Sequence, residues 1–286
     1  MERFLREHIE QVMGKRVSSA VPVQGGDISF ALKIDLEGDH CFCKYQSGLQ
    51  GHAMLQAEKD GLEAIAAVGC IKTPGVLHIG KLENGGCLLL EYIDRGTASE
   101  MDMIHFGEQL ARLHATKDSL YGWDADNFIG SLPQTNEKRT HWPEFYTTQR
   151  LIPQLKMARN KKLLDSGEIP GEDLMEERLR DLCSPSEPSL IHGDLWGGNY
   201  LISRKGEAYL IDPSTSFSHP GMDIAMSKLF GGFSSSFYQA YEAAYPFPMP
   251  DKAEIDLYQL YYLLVHLNLF GASYASSVKG LLNRYF

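Results

Sequence analysis

The sequence predicts an α+β fold in two lobes, a small β-rich amino-terminal lobe and a larger, mainly helical carboxyl-terminal one. Three observations predict it. Up to Asp94 the chain alternates short apolar runs with glycine-bearing turn signals, broken by one long Ala/Leu/Glu-rich stretch. Beyond Asp94 helical periodicity dominates, with only short strand-like pieces between. No internal repeat, low-complexity tract or Pro/Gly-rich linker separates the two textures, so the boundary, residues 1–93 against 94–286, reads as a hinge over a cleft.

The elements follow in order. Residues 4–14 read as a helix, and residues 18–23, 29–35 and 40–45 as strands, with breaks at Gly25-Gly26 and Glu37-Gly38-Asp39. A helix over 54–68 is closed by Gly69. Strands over 76–81 and 87–92 flank Asn84-Gly85-Gly86, read as a hairpin turn. Helices are predicted over 101–115, 142–158 and 172–183, then short strands at 190–191, 200–203 and 208–211, then further helices. The most apolar stretch, 257–275, is interrupted by Gln259, His266, Asn268 and tyrosines, which makes it a buried helix and not a membrane span.

Composition excludes several classes. With 286 residues, 43% hydrophobic and 22% charged, the chain can build a core without disulfide staples. A net charge of −10 argues against a nucleic-acid partner. The charged start, Met1-Glu2-Arg3-Phe4-Leu5-Arg6-Glu7, lacks the apolar core of a signal peptide. The five cysteines are scattered, and Cys41 and Cys43 point to one strand face, so reduced thiols in the cytoplasm are the expectation. No membrane partner is predicted.

The chemistry concentrates in Leu190-Ile191-His192-Gly193-Asp194-Leu195-Trp196-Gly197-Gly198-Asn199, and in Tyr209-Leu210-Ile211-Asp212-Pro213. A polar loop between apolar strand pieces presents an acid and, five residues on, a carboxamide. A second acid ends a separate strand. Phosphoryl transfer needs a carboxylate to orient the attacking hydroxyl and oxygen ligands for Mg²⁺ from two elements. Asp194, Asn199 and Asp212 match those roles in order. An Asp and an Asn in loops also serve plain turns; the flanking strands and the downstream acid favour catalysis.

The β-rich lobe supplies the complementary half. Lys44 sits inside an apolar strand, Cys41-Phe42-Cys43-Lys44-Tyr45, where an ammonium needs a charged partner. Glu58, on the following helix, is the candidate; the pair would hold Lys44 on the α- and β-phosphates of ATP. Gly25 and Gly26 fit either a phosphate-approaching loop or a plain hairpin turn. Asp27 beside them is an acid that a phosphate loop would avoid. At the lobe boundary Glu91, Tyr92 and Ile93 offer the Glu91 carbonyl and the Ile93 N–H to an adenine edge.

These residues resemble the fructosamine kinases (ketosamine 3-kinases), within the wider aminoglycoside-phosphotransferase-like group of protein-kinase-like folds. The likeness runs over nearly the whole chain. It includes Gly193-Asp194-Leu195-Trp196-Gly197-Gly198-Asn199, Asp212-Pro213, His219-Pro220-Gly221-Met222-Asp223-Ile224-Ala225-Met226 and Leu229-Phe230-Gly231-Gly232-Phe233. Asp126-Asn127-Phe128-Ile129-Gly130-Ser131, Gln134-Thr135-Asn136, Trp142, Phe145-Tyr146, Arg150-Leu151 and Gln154-Leu155 extend it.

The resemblance implies ATP- and Mg²⁺-dependent phosphorylation of the third-carbon hydroxyl of a ketoamine, as in the repair of glycated proteins or amines. It also implies that Asp223 accepts hydrogen bonds from the catalytic-loop backbone. Trp196 fits a wall of the sugar pocket or a core aromatic, and His192 fits a loop brace. Gly193 stands where a protein kinase has arginine, and Pro-Ser-Thr follows Asp212, which suits an unregulated metabolic enzyme. A choline, homoserine or aminoglycoside kinase of the same fold is the alternative; the carboxyl terminus lacks the acids that serve cationic antibiotics. A non-catalytic nucleotide binder would lack Lys44, Asp194 or Asp212, and this chain has all three.

Overall fold

The computed structural model describes residues 1–23, 30–246 and 248–286. In chain order the elements are α1 (Arg3–Met13), β1 (Val17–Pro22), β2 (Phe30–Leu36), β3 (Asp39–Ser47), α2 (Gly51–Val68), β4 (Val76–Leu82), β5 (Gly85–Glu91) and α3 (Glu100–His114). Then come β6 (Asn127–Ile129), β7 (Leu132–Gln134), α4 (Trp142–Phe145), a π-helical turn (Tyr146–Leu151), α5 (Ile152–Asn160) and α6 (Glu172–Leu182). The remainder comprises β8 (Ser189–Ile191), β9 (Tyr200–Ile202), β10 (Ala208–Leu210), β11 (Ser216–Ser218), α7 (Gly221–Phe230), α8 (Ser235–Ala244), α9 (Lys252–Phe270) and α10 (Ala275–Tyr285).

These elements form two compact units: Met1–Asp102 with Gly198–Pro213, and Met103–Gly197 with Ser214–Phe286.

The first unit is built on an antiparallel sheet of order β1-β2-β3-β5-β4. Period-2 alternation gives β3 two different faces. Cys41 and Cys43 join Leu5 and Ile9 of α1 in one core. Phe42 packs on the opposite side, with Leu55 and Leu62 of α2 and Leu88 and Leu90 of β5. Lys44 shares the parity of Phe42, so it is delivered to the α2 face. The β9–β10 hairpin belongs to this unit, tied to it by Leu210 N–H donating to the Lys72 carbonyl (2.9 Å) and Gly96 N–H to that of Ile202 (2.8 Å).

The hairpin predicted between β4 and β5 forms, but its turn is shifted from Asn84-Gly85-Gly86. The turn residues are Glu83 and Asn84, and both glycines lie in β5. Packing demands them there: a Cβ on Gly86 would stand 2.7 Å from the Cα of His52, and one on Gly85 would overlap the Gln46 carbonyl.

In the second unit α9 is the spine. Asp251 and Glu254 form a capping box at its start. Leu257, Tyr258, Leu260, Tyr261, Leu264 and Leu267 are buried in one core with Met222, Ala225 and Met226 of α7. Trp142 stacks on Tyr146, and Tyr258 meets both rings edge-on. Among the described residues no helix is long and apolar enough to cross a membrane. The helix predicted over 142–158 carries the π turn, whose wider winding places Arg150 inside the unit. There its guanidinium donates to the carbonyls of Thr135 (2.6 Å) and Gln149 (3.1 Å) and to Asn136 Oδ1 (2.8 Å).

Candidate active site

The candidate residues divide between the units. Lys44, Glu58, Glu91, Tyr92, Ile93, Asn199 and Asp212 belong to the first; His192, Asp194, Trp196 and Asp223 belong to the second. Gly25 and Gly26 lie outside the described residues.

In the first unit Lys44 is 5% exposed. Its Nζ donates to Glu58 Oε1 at 2.7 Å and also to the Asp212 carboxylate. Burial pulls the Lys44 pKa down, but the charges of Asp212 and Glu58 outweigh it and leave it raised. For Glu58, burial dominates and lifts the carboxyl to about 7; Lys44 opposes the shift and the Asp212 charge adds to it. One ammonium shared by two acids is therefore a site with an excess of negative charge, suited to a further cation.

The β9–β10 ladder sets up the second part. Tyr200 pairs with Leu210, and Ile211 N–H donates to the Asn199 carbonyl (3.0 Å). Asn199 thus flanks the strand end that leads into Asp212, which holds a left-handed backbone (φ 55°). A carboxylate and a carboxamide are hard oxygen donors. Mg²⁺ characteristically takes one or two such protein ligands and completes its shell with phosphates and water, so the donor set fits that ion.

At the end of β5, Glu91 N–H donates to the Gly75 carbonyl (2.7 Å), and its carboxylate accepts from Gly75 N–H (3.2 Å). The Tyr92 ring is fixed by His40 (centroids 5.4 Å apart) and by Lys33 Nζ, 4.7 Å from its centroid. Ile93 follows half-buried.

In the second unit the loop after β8 is clamped by its backbone. The fully buried Asp223 accepts from His192 N–H (2.7 Å) and from Gly193 N–H (2.8 Å). Gly193 has φ 84°, and a Cβ there would overlap the Ser214 carbonyl, so only glycine fits. Tyr262 O–H donates to the Gly193 carbonyl at 3.0 Å. His192 is buried, and its Nδ1 accepts from Asp194 N–H (3.2 Å). Leu195 is fully buried and anchors the turn, while Trp196 stands 38% exposed. The loop therefore presents the half-buried Asp194 from a backbone fixed on both sides.

Three residues of this scaffold were missing from the sequence reading. His114 of α3, fully buried, lies 3.1 Å from Asp223 through Nε2 and 2.8 Å from the Tyr241 hydroxyl through Nδ1. With Nε2–H donating to the carboxylate, Nδ1 accepts from Tyr241, and the chain Tyr241–His114–Asp223 backs the loop. Tyr262 is the third. Burial above all, then the charges of Asp223 and Asp194, hold its phenol well above its ordinary pKa, so it remains a donor. In sequence His114 is one polar residue in an amphipathic helix, and no local signal marks it.

Comparison with known proteins places this scaffold. The fructosamine kinase family model matches residues 1–286. The chain belongs to the fructosamine kinase family. A probable ketoamine kinase of Lactiplantibacillus plantarum is 38% identical over 94% of this chain and 95% of its own length. The chloroplastic protein-ribulosamine 3-kinase of Arabidopsis thaliana is 36% identical over 92% and 81%. A Haemophilus somnus crystal structure that carries the fructosamine-3-kinase name superposes with a TM-score of 0.87 at 26% identity, covering 99% of this chain and 96% of that one. The fold is protein-kinase-like, shared with spectinomycin phosphotransferase solved with ADP and spectinomycin (TM-score 0.62, 16% identity, 100% and 94% coverage).

Proposed function

We propose that this fructosamine kinase family member transfers the γ-phosphoryl group of ATP, with Mg²⁺, to the third-carbon hydroxyl of a ketoamine such as a fructosamine or ribulosamine. The observation that carries the reading is Asp194, held out on a loop whose backbone is fixed by Asp223, in a chain that matches the family from end to end.

The roles follow from chemistry. Asp194 orients the sugar hydroxyl and takes its proton as the oxygen–phosphorus bond forms and the β,γ-bridging bond breaks, leaving ADP. Asn199 and Asp212 would hold Mg²⁺ through their side-chain oxygens, and the ion would supply positive charge against the phosphates. Lys44, steadied by Glu58, reaches the α- and β-phosphates. Glu91 and Ile93 present backbone groups to the adenine edge beside Tyr92. The 38% exposure of Trp196 on this loop supports a role as a wall of the sugar pocket over that of a core aromatic. ADP in the spectinomycin phosphotransferase complex supports nucleotide use by this fold. Five scattered cysteines that form no disulfide suit a reducing compartment, the cytoplasm.

A coupled assay of ADP release tests the reading with ribulosamines and fructosamines beside choline and aminoglycosides. Turnover confined to ketoamines is expected. Turnover on choline or an antibiotic alone would keep the phosphate machinery and overturn the acceptor.

A further inference from the structure

On the sheet face covered by α1, His8 of that helix and His78 of β4 bring their Nε2 atoms to 3.2 Å, with ring centroids 5.3 Å apart. Two neutral imidazoles at this distance share a hydrogen bond only if one presents Nε2–H and the other a lone pair. The same separation is the bite of a single metal ion. Nitrogen donors ~2.0–2.1 Å from a metal and roughly 90–110° apart stand about 2.9–3.4 Å from each other.

Gly80 makes the room. A Cβ there would lie 3.0 Å from His78 Nε2, 3.1 Å from Cys87 Sγ, and closer still to His8 Nε2. The missing side chain leaves a point close to both ring nitrogens. Both imidazoles are half-buried, so an ion can reach them from solvent. The Cys87 thiol behind them is pushed up to about 11, chiefly by burial, and stays protonated. Among the described residues no group of three or more His, Cys, Asp or Glu stands close enough together to hold a metal ion, so the protein ligands here number two.

We propose that His8 and His78 form a two-imidazole site for a divalent first-row cation of the zinc–copper class, completed by water. The bound ion fastens α1 to β4, the edge strand of the sheet. Imidazole nitrogen suits these borderline ions, whereas Mg²⁺ prefers oxygen and does not compete. The site lies within one unit and stands independently of the phosphoryl-transfer reading.

The test is calorimetric titration of the untagged, metal-free full chain with Zn²⁺ in saturating Mg²⁺, which keeps oxygen sites filled. Thermal unfolding is followed in parallel. One equivalent of Zn²⁺ is expected to bind and to raise Tm, increasingly with free metal, because the ion binds the folded state. H8Q and H78Q each replace a half-buried polar ring with a polar chain, and circular dichroism checks that they fold. Each should weaken that binding at least about tenfold and abolish the Tm shift, with Mg²⁺-dependent turnover unchanged. G80A keeps both ligands but fills the space, and should also weaken binding. No heat in the wild type, or equal Zn²⁺ uptake by H8Q and H78Q, would overturn the site and leave a plain His–His hydrogen bond.

Discussion

Lys44 and Asp223 are both buried charged side chains at the heart of their units, yet they are satisfied in different ways. Lys44 is matched by two other side chains, Glu58 and Asp212. Asp223 is matched by the backbone N–H groups of His192 and Gly193, and by a histidine that is itself held by Tyr241. A side-chain ion cluster can exchange partners: a cation held at Asp212 would free Lys44 for an incoming phosphate while Glu58 kept its hold. A backbone clamp cannot exchange in that way without unmaking the loop. The first unit is therefore built to respond to ligand charge. The second is built to hold a group still, the preorganisation that catalysis by position requires.

Substitutions can break this contrast at either end. The largest effect is expected from Asp194→Asn, which keeps the loop and removes the proton acceptor. Turnover should fall by ~10²–10⁴-fold with nucleotide affinity nearly intact. Steady-state kinetics with nucleotide calorimetry decide it, and near wild-type turnover would remove Asp194 from the chemistry.

Lys44→Met comes next. It leaves Glu58 and Asp212 without their shared cation and the phosphates without a ligand, for a loss in kcat on the order of 10²–10³ and a raised KM for ATP. An unchanged KM for ATP would mean that Lys44 serves only the fold.

His114→Phe sharpens the comparison from the other side. It removes one of the partners of Asp223 and leaves the hydroxyl of Tyr241 without its nitrogen. Stability should drop by about 1–3 kcal/mol and kcat by roughly tenfold, with KM for ATP unchanged; His114→Gln should recover part of both. A fall in stability with kcat untouched would make the relay purely structural.

The smallest effect concerns pH. His219 is buried, and its Nδ1 already accepts from Gly221 N–H (3.0 Å). Burial first, and then the nearby Lys117 ammonium and His114 ring, push its pKa down to about 3 against the pull of the Ser184 carbonyl. The unfolded chain takes up this proton near pH 6.5 and the folded chain does not, so stability is present above about 6.5 and is lost as pH falls towards 3. Between pH 7 and pH 5 the loss should be ~2 kcal/mol. Denaturant melts at both values measure it, and His219→Gln should flatten the difference.

Much of this was legible in the sequence because burying a charge is costly. Lys44 inside an apolar strand called for an acid on the next helix, and the structure pairs it with Glu58. The acid–carboxamide loop and the acid after β10 were visible because strand-forming residues frame them. Features that depend on distant chain were not visible. Three-residue strands such as β6, β7 and β11 are too short to carry a period. The π turn at 146–151 looks like uninterrupted helix. The glycines at 85 and 86 resemble a turn, but the packing of β3 and α2 decides their place. His114, Tyr241 and Tyr262 become scaffold only when three helices converge on one loop.

The most direct test is phosphorus NMR of the product formed from a ribulosamine or fructosamine with MgATP. The account predicts ADP together with a sugar phosphomonoester whose phosphorus couples to the proton on the third carbon. ADP with only inorganic phosphate, or a phosphoryl group on another position, would contradict it.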